Sequence, residues 1–360
     1  MLRTPALIAL IATGALATGC VVTSHESDKA GGLPHSGTVV LRMASTPFGL
    51  PDVPSVAAFA REVSALSGGT IRIDVINEWG HYAPDAEAQV VRATASGKVD
   101  LGWVGSRVFD TLGVPAFEAL SAPMLIDSYP LADAVLRSDL PGQMLAGLTN
   151  LGVTGLAVFG DELRYPVGVR KPLLTPSDWQ GRSIGTYRSR TQAAAIRALG
   201  ATPVEAIGPY RSHAVDSGTI QGFEFDVRRY DRQTWAAKAP YITANIALWA
   251  QFDVLFANSK RLAALSDRQR GWLEQAARDA AKNSVGDTEQ RDSFVEHSCS
   301  EGAHFITARP ADLAAMRRAF TPVYRSLERD RQTRQFLRQI QQLKAATPPA
   351  PGLDVPPLCA

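Results

Sequence analysis

Val39-Val40-Leu41-Arg42-Met43-Ala44 and Thr70-Ile71-Arg72-Ile73-Asp74-Val75-Ile76 are two short runs of strand-forming residues, the second with apolar side chains at alternate positions. Between them Val56, Phe59, Val63 and Leu66 recur at helical spacing, and Ser67-Gly68-Gly69 ends the helix. Strand, helix, glycine turn and strand make a βαβ unit, which lays down parallel sheet. A second unit follows at once: a helix near 85–95, Gly97 as its stop, and a short buried strand over 99–104.

Further along, 151–159 reads as a strand that leaves this first lobe, with Gly160 as a hinge. Asp253-Val254-Leu255-Phe256-Ala257-Asn258 returns as a strand, and Asn258 or Ser259 caps one long helical stretch through Ala280. Two strand crossings between lobes form a hinge pair, the geometry of a clamshell that closes on a ligand. From 310 to 343 the chain is helix-rich, with Leu313, Met316, Phe320, Leu327, Phe336 and Ile340 as its apolar contacts. The expected boundaries are lobe I at 38–160 plus about 246–285, and lobe II at 161–245 plus about 286–345, followed by a Pro-rich tail at 346–360.

The chain ends set the compartment. Arg3, an apolar stretch over 6–17 and Ala17-Thr18-Gly19-Cys20 read as a secretory signal, because the stretch is far short of the roughly 20 residues a spanning helix needs. Small residues before Cys20 resemble a lipobox, in which Cys20 is cleaved, acylated and left as the anchored N-terminus; an ordinary signal with a coincidental cysteine is the alternative. Residues 21–37 are polar and glycine-rich, the composition of a tether. About 310 residues remain, more than one core usually organises, so two lobes are the default. A formal charge of +2 without an extended basic stripe argues against a general nucleic-acid surface. Beyond Cys20 the two other cysteines, Cys299 and Cys359, form an even pair in an oxidising compartment, which predicts a disulfide pinning the tail to the body, with two free thiols as the alternative.

Arg164, Pro172, Asp178, then Trp179-Gln180-Gly181-Arg182-Ser183-Ile184, Leu199-Gly200-Ala201-Thr202-Pro203, Ala214, Gly218, Gly222 and Glu224 resemble, in order and spacing, the second lobe of the solute-binding proteins of TRAP (tripartite ATP-independent periplasmic) transporters, the DctP-like family. The resemblance spans roughly 38–285 and is diffuse in the first lobe. It implies an α/β, periplasmic-binding-protein-like clamshell with a hinge and a long connecting helix. It also implies a receptor that performs no chemistry, needs no cofactor, captures an organic acid and hands it to separate membrane permease subunits. In that family an arginine ending the strand after Gly181 clamps the ligand carboxylate; here that position is Gly185. Arg164 stands where the family has a secondary carboxylate contact. Tyr210 replaces a usual Glu, Ser212 a usual Tyr, Gln221 a usual Asp, and Phe225 a usual Asn after Glu224.

With two polar anchors gone, the cleft suits a small dicarboxylate less well. Arg188 and Arg190 are candidates to replace the clamp, and Arg suits the task because its planar fork donates two parallel hydrogen bonds to a carboxylate. Aromatic side chains gather on both lobes: Trp79, Tyr82 and Trp103 near first-lobe strand ends, and Tyr187, Phe223 and Phe225 on the second, so the set suits a larger, partly apolar acid. Gly181-Arg182-Ser183-Ile184-Gly185 fits the pattern Gly-x-Ser-x-Gly but reads as a strand rather than as the strand-to-helix turn of a nucleophile elbow, and the sequence holds no His-Glu-x-x-His and no phosphate-cradling glycine loop, so a hydrolase lacks a placed nucleophile or base. Glu296, His297, Cys299, Glu301 and His304 are donors without the spacing of a usual zinc site. A membrane sensor that reads the closed form is the competing use of the same fold.

Overall fold

The computed structural model describes residues 37–47, 49–50, 53–285, 288–349 and 352–359; the expected signal, most of the tether and Cys20 lie outside them. Ten strands are present among the described residues: β1 (Val39–Ala44), β2 (Ile71–Ile76), β3 (Leu101–Gly105), β4 (Val153–Gly168), β5 (Ser183–Thr186), β6 (Thr202–Glu205), β7 (Gly222–Phe225), β8 (Tyr241–Thr243), β9 (Trp249–Asn258) and β10 (His304–Ile306). Their order is β2-β1-β3-β9-β4-β7-β5-β6, with β8 on β4 and β10 on β8. β1 runs parallel to β2 and β3, as the βαβ reading requires, and β5 runs parallel to β6 and β7.

Two lobes share this one curled sheet because β4 and β9 belong to both. β4 is a single strand of 16 residues, antiparallel to β9 from Val153 opposite Asn258 to Arg164 opposite Trp249. The sequence places a hinge at Gly160; the strand continues through it, with a register shift between Gly160 and Leu163. Such a bulge bends a ladder without cutting it.

The helical stretch expected from 258 to 280 is two helices, Ser259–Ala263 and Asp267–Lys282. Ser266 restarts the chain: its hydroxyl accepts from the Gln269 N–H at 3.3 Å, and the Gln269 carboxamide oxygen accepts from the Ser266 N–H at 3.0 Å. That reciprocal pair is a capping box, a stronger local instruction than the apolar period running across it. Leu273, Ala276 and Ala277 then pack with Val56, Phe59 and Val63 of the helix Pro54–Leu66 in the first-lobe core.

The C-terminal helices Pro310–Ala319, Thr321–Leu327 and Arg331–Ala346 do not all stay with the second lobe. The last one lies on the first: Thr333 Oγ1 donates to the Pro115 carbonyl at 3.2 Å, and Lys344 Nζ donates to the Leu125 carbonyl at 2.8 Å and pairs with Asp127 at 2.6 Å. Cys299 and Cys359 are joined by a disulfide with Cα atoms 5.3 Å apart, both buried, and the tail's Leu353 N–H donates to the Ala244 carbonyl.

Candidate functional site

The loops following β1, β5 and β7 and the first turn of the helix Pro209–Asp216 open onto one cavity of about 500 Å³ between the lobes. Thr46, Pro47, Tyr82 and Glu87 line it from the first lobe; Tyr187, Ile207, Gly208, Arg211, Phe225, Arg229 and Trp235 line it from the second. The lobes touch across it. Gly208 has a φ of +53°, and a Cβ there would run into the Tyr82 ring, so only glycine lets the two jaws meet at this point. The Arg107 guanidinium of the first lobe stacks 3.7 Å from the centre of the Tyr187 ring of the second. Asp110, buried at the end of the 3₁₀ turn Ser106–Asp110, takes three hydrogen bonds from the start of the second-lobe helix Arg190–Ala198: from Ser189 Oγ at 2.6 Å, the Arg190 N–H at 3.0 Å and the Thr191 N–H at 2.9 Å. A carboxylate at a helix N-terminus meets both unpaired N–H groups and the positive end of the helix dipole.

Arg211 is the residue that sequence reasoning missed. It sits in the first turn of its helix, 2 % exposed, with its guanidinium 4.5 Å from the Phe225 ring centre, 5.5 Å from Phe223 and 5.6 Å from Tyr187. Nε and Nη2 are buried without a hydrogen-bond partner. Burial lowers its pKa and the nearby Arg164 charge adds to that, while Tyr187 and Glu224 oppose it. An arginine stays protonated regardless, so the site holds a desolvated cation with two donors unused. The only sequence signal was its place in the degraded motif Pro209-Tyr210-Arg211-Ser212, where the residues on either side drew the comparison.

The other buried arginines are neutralised. Arg164, expected as a ligand-facing cation, donates from Nε to Glu224 Oε2 at 2.5 Å, from Nη1 to Asp226 Oδ2 at 2.7 Å and from Nη2 to the Glu224 carbonyl at 3.1 Å. It is 1 % exposed and stands behind the cavity wall. Burial works against its charge, but Glu224 and Asp226 outweigh burial and raise its pKa. Burial likewise opposes the charge of Asp226, which Arg229, Arg164 and Arg228 overcome, holding the carboxyl well below the usual range. Arg229 spans Asp161 and Asp226, Arg228 spans Asp161 and Glu162, and Arg107 pairs with Glu87 at 2.7 Å.

The remaining expected residues scatter. Tyr187 and Phe225 line the cavity as the aromatic reading requires. Phe223 is core, edge-on to Phe225 and 4.7 Å from the Trp235 ring. Trp103 is buried in the first-lobe core, and Trp79 is half-buried under Lys98 Nζ, 5.0 Å away. Tyr210 points outward, 56 % exposed. Arg188 bonds to Glu205 on the surface rather than turning inward, and Arg190 offers its backbone N–H to Asp110. At the lost clamp, a Cβ on Gly185 would lie 2.8 Å from Ile220 Cδ1 and 3.2 Å from Phe223 Cβ, so a side chain there would require Ile220 and Phe223 to shift. Near the loose donor cluster, His297 pairs with Asp231, and no group of three potential metal ligands forms among the described residues.

A two-lobed α/β sheet with a shared pair of hinge strands and a ligand-sized cavity between its jaws defines a solute-binding receptor. Residues 46–330 match the bacterial extracellular solute-binding protein family 7, and the chain belongs to that family, whose members are receptors rather than enzymes. The C4-dicarboxylate-binding periplasmic protein of Rhodobacter capsulatus is 24 % identical over 177 residues, 48 % of this chain and 52 % of that one. The 2,3-diketo-L-gulonate-binding periplasmic protein of Escherichia coli is 28 % identical over 149 residues, 41 % of this chain and 44 % of that one. The chain thus spans about half the length of these curated relatives. Two solved TRAP periplasmic solute-binding proteins share the fold: one from Ochrobactrum anthropi (TM-score 0.75, 22 % identity, 86 % of this chain and 97 % of that one) and one from Roseobacter denitrificans with bound β-D-glucuronate (TM-score 0.74, 21 % identity, 86 % and 100 %).

Proposed function

We propose that this chain is the extracytoplasmic receptor of a TRAP-type secondary transporter and that it captures an organic monocarboxylate on Arg211 for delivery to separate membrane permease subunits. The observation that carries this reading is a buried guanidinium facing the cavity with Nε and Nη2 unpartnered. Leaving such a group unpaired is unfavourable by more than a neutral donor would be, and a carboxylate accepting from both nitrogens relieves it. Among the described residues that line the cavity, Arg229 and Lys238 already hold carboxylates, whereas Arg211 is hydrogen-bonded to none. One open cation calls for one carboxylate. Tyr187, Phe225 and Trp235 then offer flat apolar surface to the body of the ligand. Structural neighbours bound to β-D-glucuronate, β-D-galacturonate and D-erythronate support a carboxylate as the recognised group.

Binding across the jaws favours the closed arrangement by the difference in affinity between the two states, and a permease reads that arrangement. Acylation of Cys20 would hold the receptor at the membrane. The test is a thermal-shift screen of organic acids on the parent and on Arg211→Gln, since a ligand that binds only the folded state raises the melting temperature. The parent is expected to shift with monocarboxylates bearing an apolar or ring-shaped body, Arg211→Gln not to shift, and Arg188→Ala to respond like the parent. A normal response from Arg211→Gln defeats the assignment.

A further inference from the structure

We propose that the solvent face of the last helix, Arg331–Ala346, is a docking surface for anionic phospholipid headgroups. Its sequence, Arg-Gln-Thr-Arg-Gln-Phe-Leu-Arg-Gln-Ile-Gln-Gln-Leu-Lys-Ala-Ala, contains no acidic residue over 16 positions. Thr333, Phe336, Leu337 and Ile340 are buried against the body, which turns the opposite stripe outward. There Arg331, Arg334 and Arg338, with Gln335, Gln339 and Gln342, surround one shallow hollow of about 340 Å³. Among the described residues none of the three arginines pairs with a carboxylate; Arg334 instead donates to the Glu328 carbonyl at 2.9 Å. Over residues 310–346 eight basic side chains face three acidic ones, although the whole chain carries only +2. The surplus is therefore local, and it is balanced by net negative charge elsewhere.

The composition of the face favours headgroups over a protein partner. Specific protein interfaces are organised around buried aromatic and apolar anchors, and this stripe has arginine and glutamine only. Among the described residues the exposed large hydrophobic side chain is Tyr210, on the second lobe. Guanidinium forks match phosphate oxygens, carboxamides donate to the same acceptors, and a charged surface attracts clustered cations without needing shape complementarity. A receptor lying on this helix would stay beside the bilayer in which its permease sits. The face does not depend on acylation, because the attraction comes from side chains of the folded body.

The test uses the full chain with Cys20→Ala, so that no acyl group contributes, and sediments it with vesicles of phosphatidylcholine alone or phosphatidylcholine containing one-third phosphatidylglycerol, at low and high salt. The parent is expected to partition more strongly onto the anionic vesicles at low salt and to lose the difference at high salt. The triple variant R331Q/R334Q/R338Q should lose roughly a hundredfold of that partitioning at an unchanged melting temperature. A control with the same change in net charge, R72Q/R92Q/R278Q, removes exposed arginines that have carboxylate partners and should keep it. Equal partitioning of the parent onto both vesicles overturns the proposal, as does a triple variant that behaves like the parent or a control that loses as much. Retention of the parent by detergent-solubilised permease without vesicle binding would give the face to a protein and overturns it too.

Discussion

Arg164 and Arg211 are both guanidiniums buried beside the rings of Phe225 and Tyr187, at 1 % and 2 % exposure, and their surroundings assign them opposite tasks. Arg164 lies among two carboxylates and a carbonyl that use its donors. Arg211 lies among rings, with two donors left over. The first arrangement is complete without a ligand and serves as structure; the second is incomplete and is where we place a ligand's charge. A buried cation is thus a binding candidate only to the extent that the protein has failed to neutralise it.

The largest effect that would break this comparison is Arg164→Ala. It strands Glu224 in the interior and leaves Asp226 to Arg229 alone, and we expect a loss of about 3–5 kcal/mol in stability, read by chemical denaturation. A variant nearly as stable as the parent would show that Arg164 is not the neutralised partner described here. Arg211→Gln should move the other quantity: the unliganded protein melts at the parent temperature or above it, because an unpaired buried charge is gone, while carboxylate affinity falls by about 2–3 kcal/mol, measured by titration calorimetry.

Asp110→Ala removes three hydrogen bonds that cross from one lobe to the other. Ligand affinity should drop roughly tenfold as the closed arrangement loses a contact, with small-angle scattering reporting a more open unliganded form; an unchanged profile and affinity would remove Asp110 from closure.

The smallest effect concerns the anionic counterpart of Arg211. Asp253, fully buried on β9 with Oδ2 unpartnered, has its pKa pushed up to about 7, by burial first and then by Asp161 and Glu87, against the pull of Arg229 and Arg107. Since the folded value lies above the unfolded one, the neutral form favours folding: its contribution is whole below about pH 4 and is lost as pH rises toward 7. Asp253→Asn should flatten that decline and be more stable than the parent at pH 8. Parallel stability curves for the two proteins would count against an uncompensated carboxyl at this position.

Legibility followed the range of the forces. The strands around 39–44 and 71–76 were readable because alternation and glycine stops are local, and the lost clamp at Gly185 was readable because a missing side chain needs no neighbours to be noticed. The break at Ser266 was legible in principle, as Ser266 and Gln269 stand three apart, but the apolar period running across it masked the cap. The placement of the last helix on the first lobe was not legible: Lys344 reaches Asp127 across 217 residues of chain.

By itself the sequence determined the alternation of strand and helix, the two-lobed class, the family and the absence of a clamp at 185, since each depends on residues close together or on a pattern of spacing. Only the tertiary structure decided which buried arginine is paired with carboxylates and which is not. Glu224 and Asp226 stand 60 and 62 positions from Arg164, and no carboxylate was folded onto Arg211. Whether a buried charge is neutralised is a property of the few ångströms around it, and the chain fills those from distant positions.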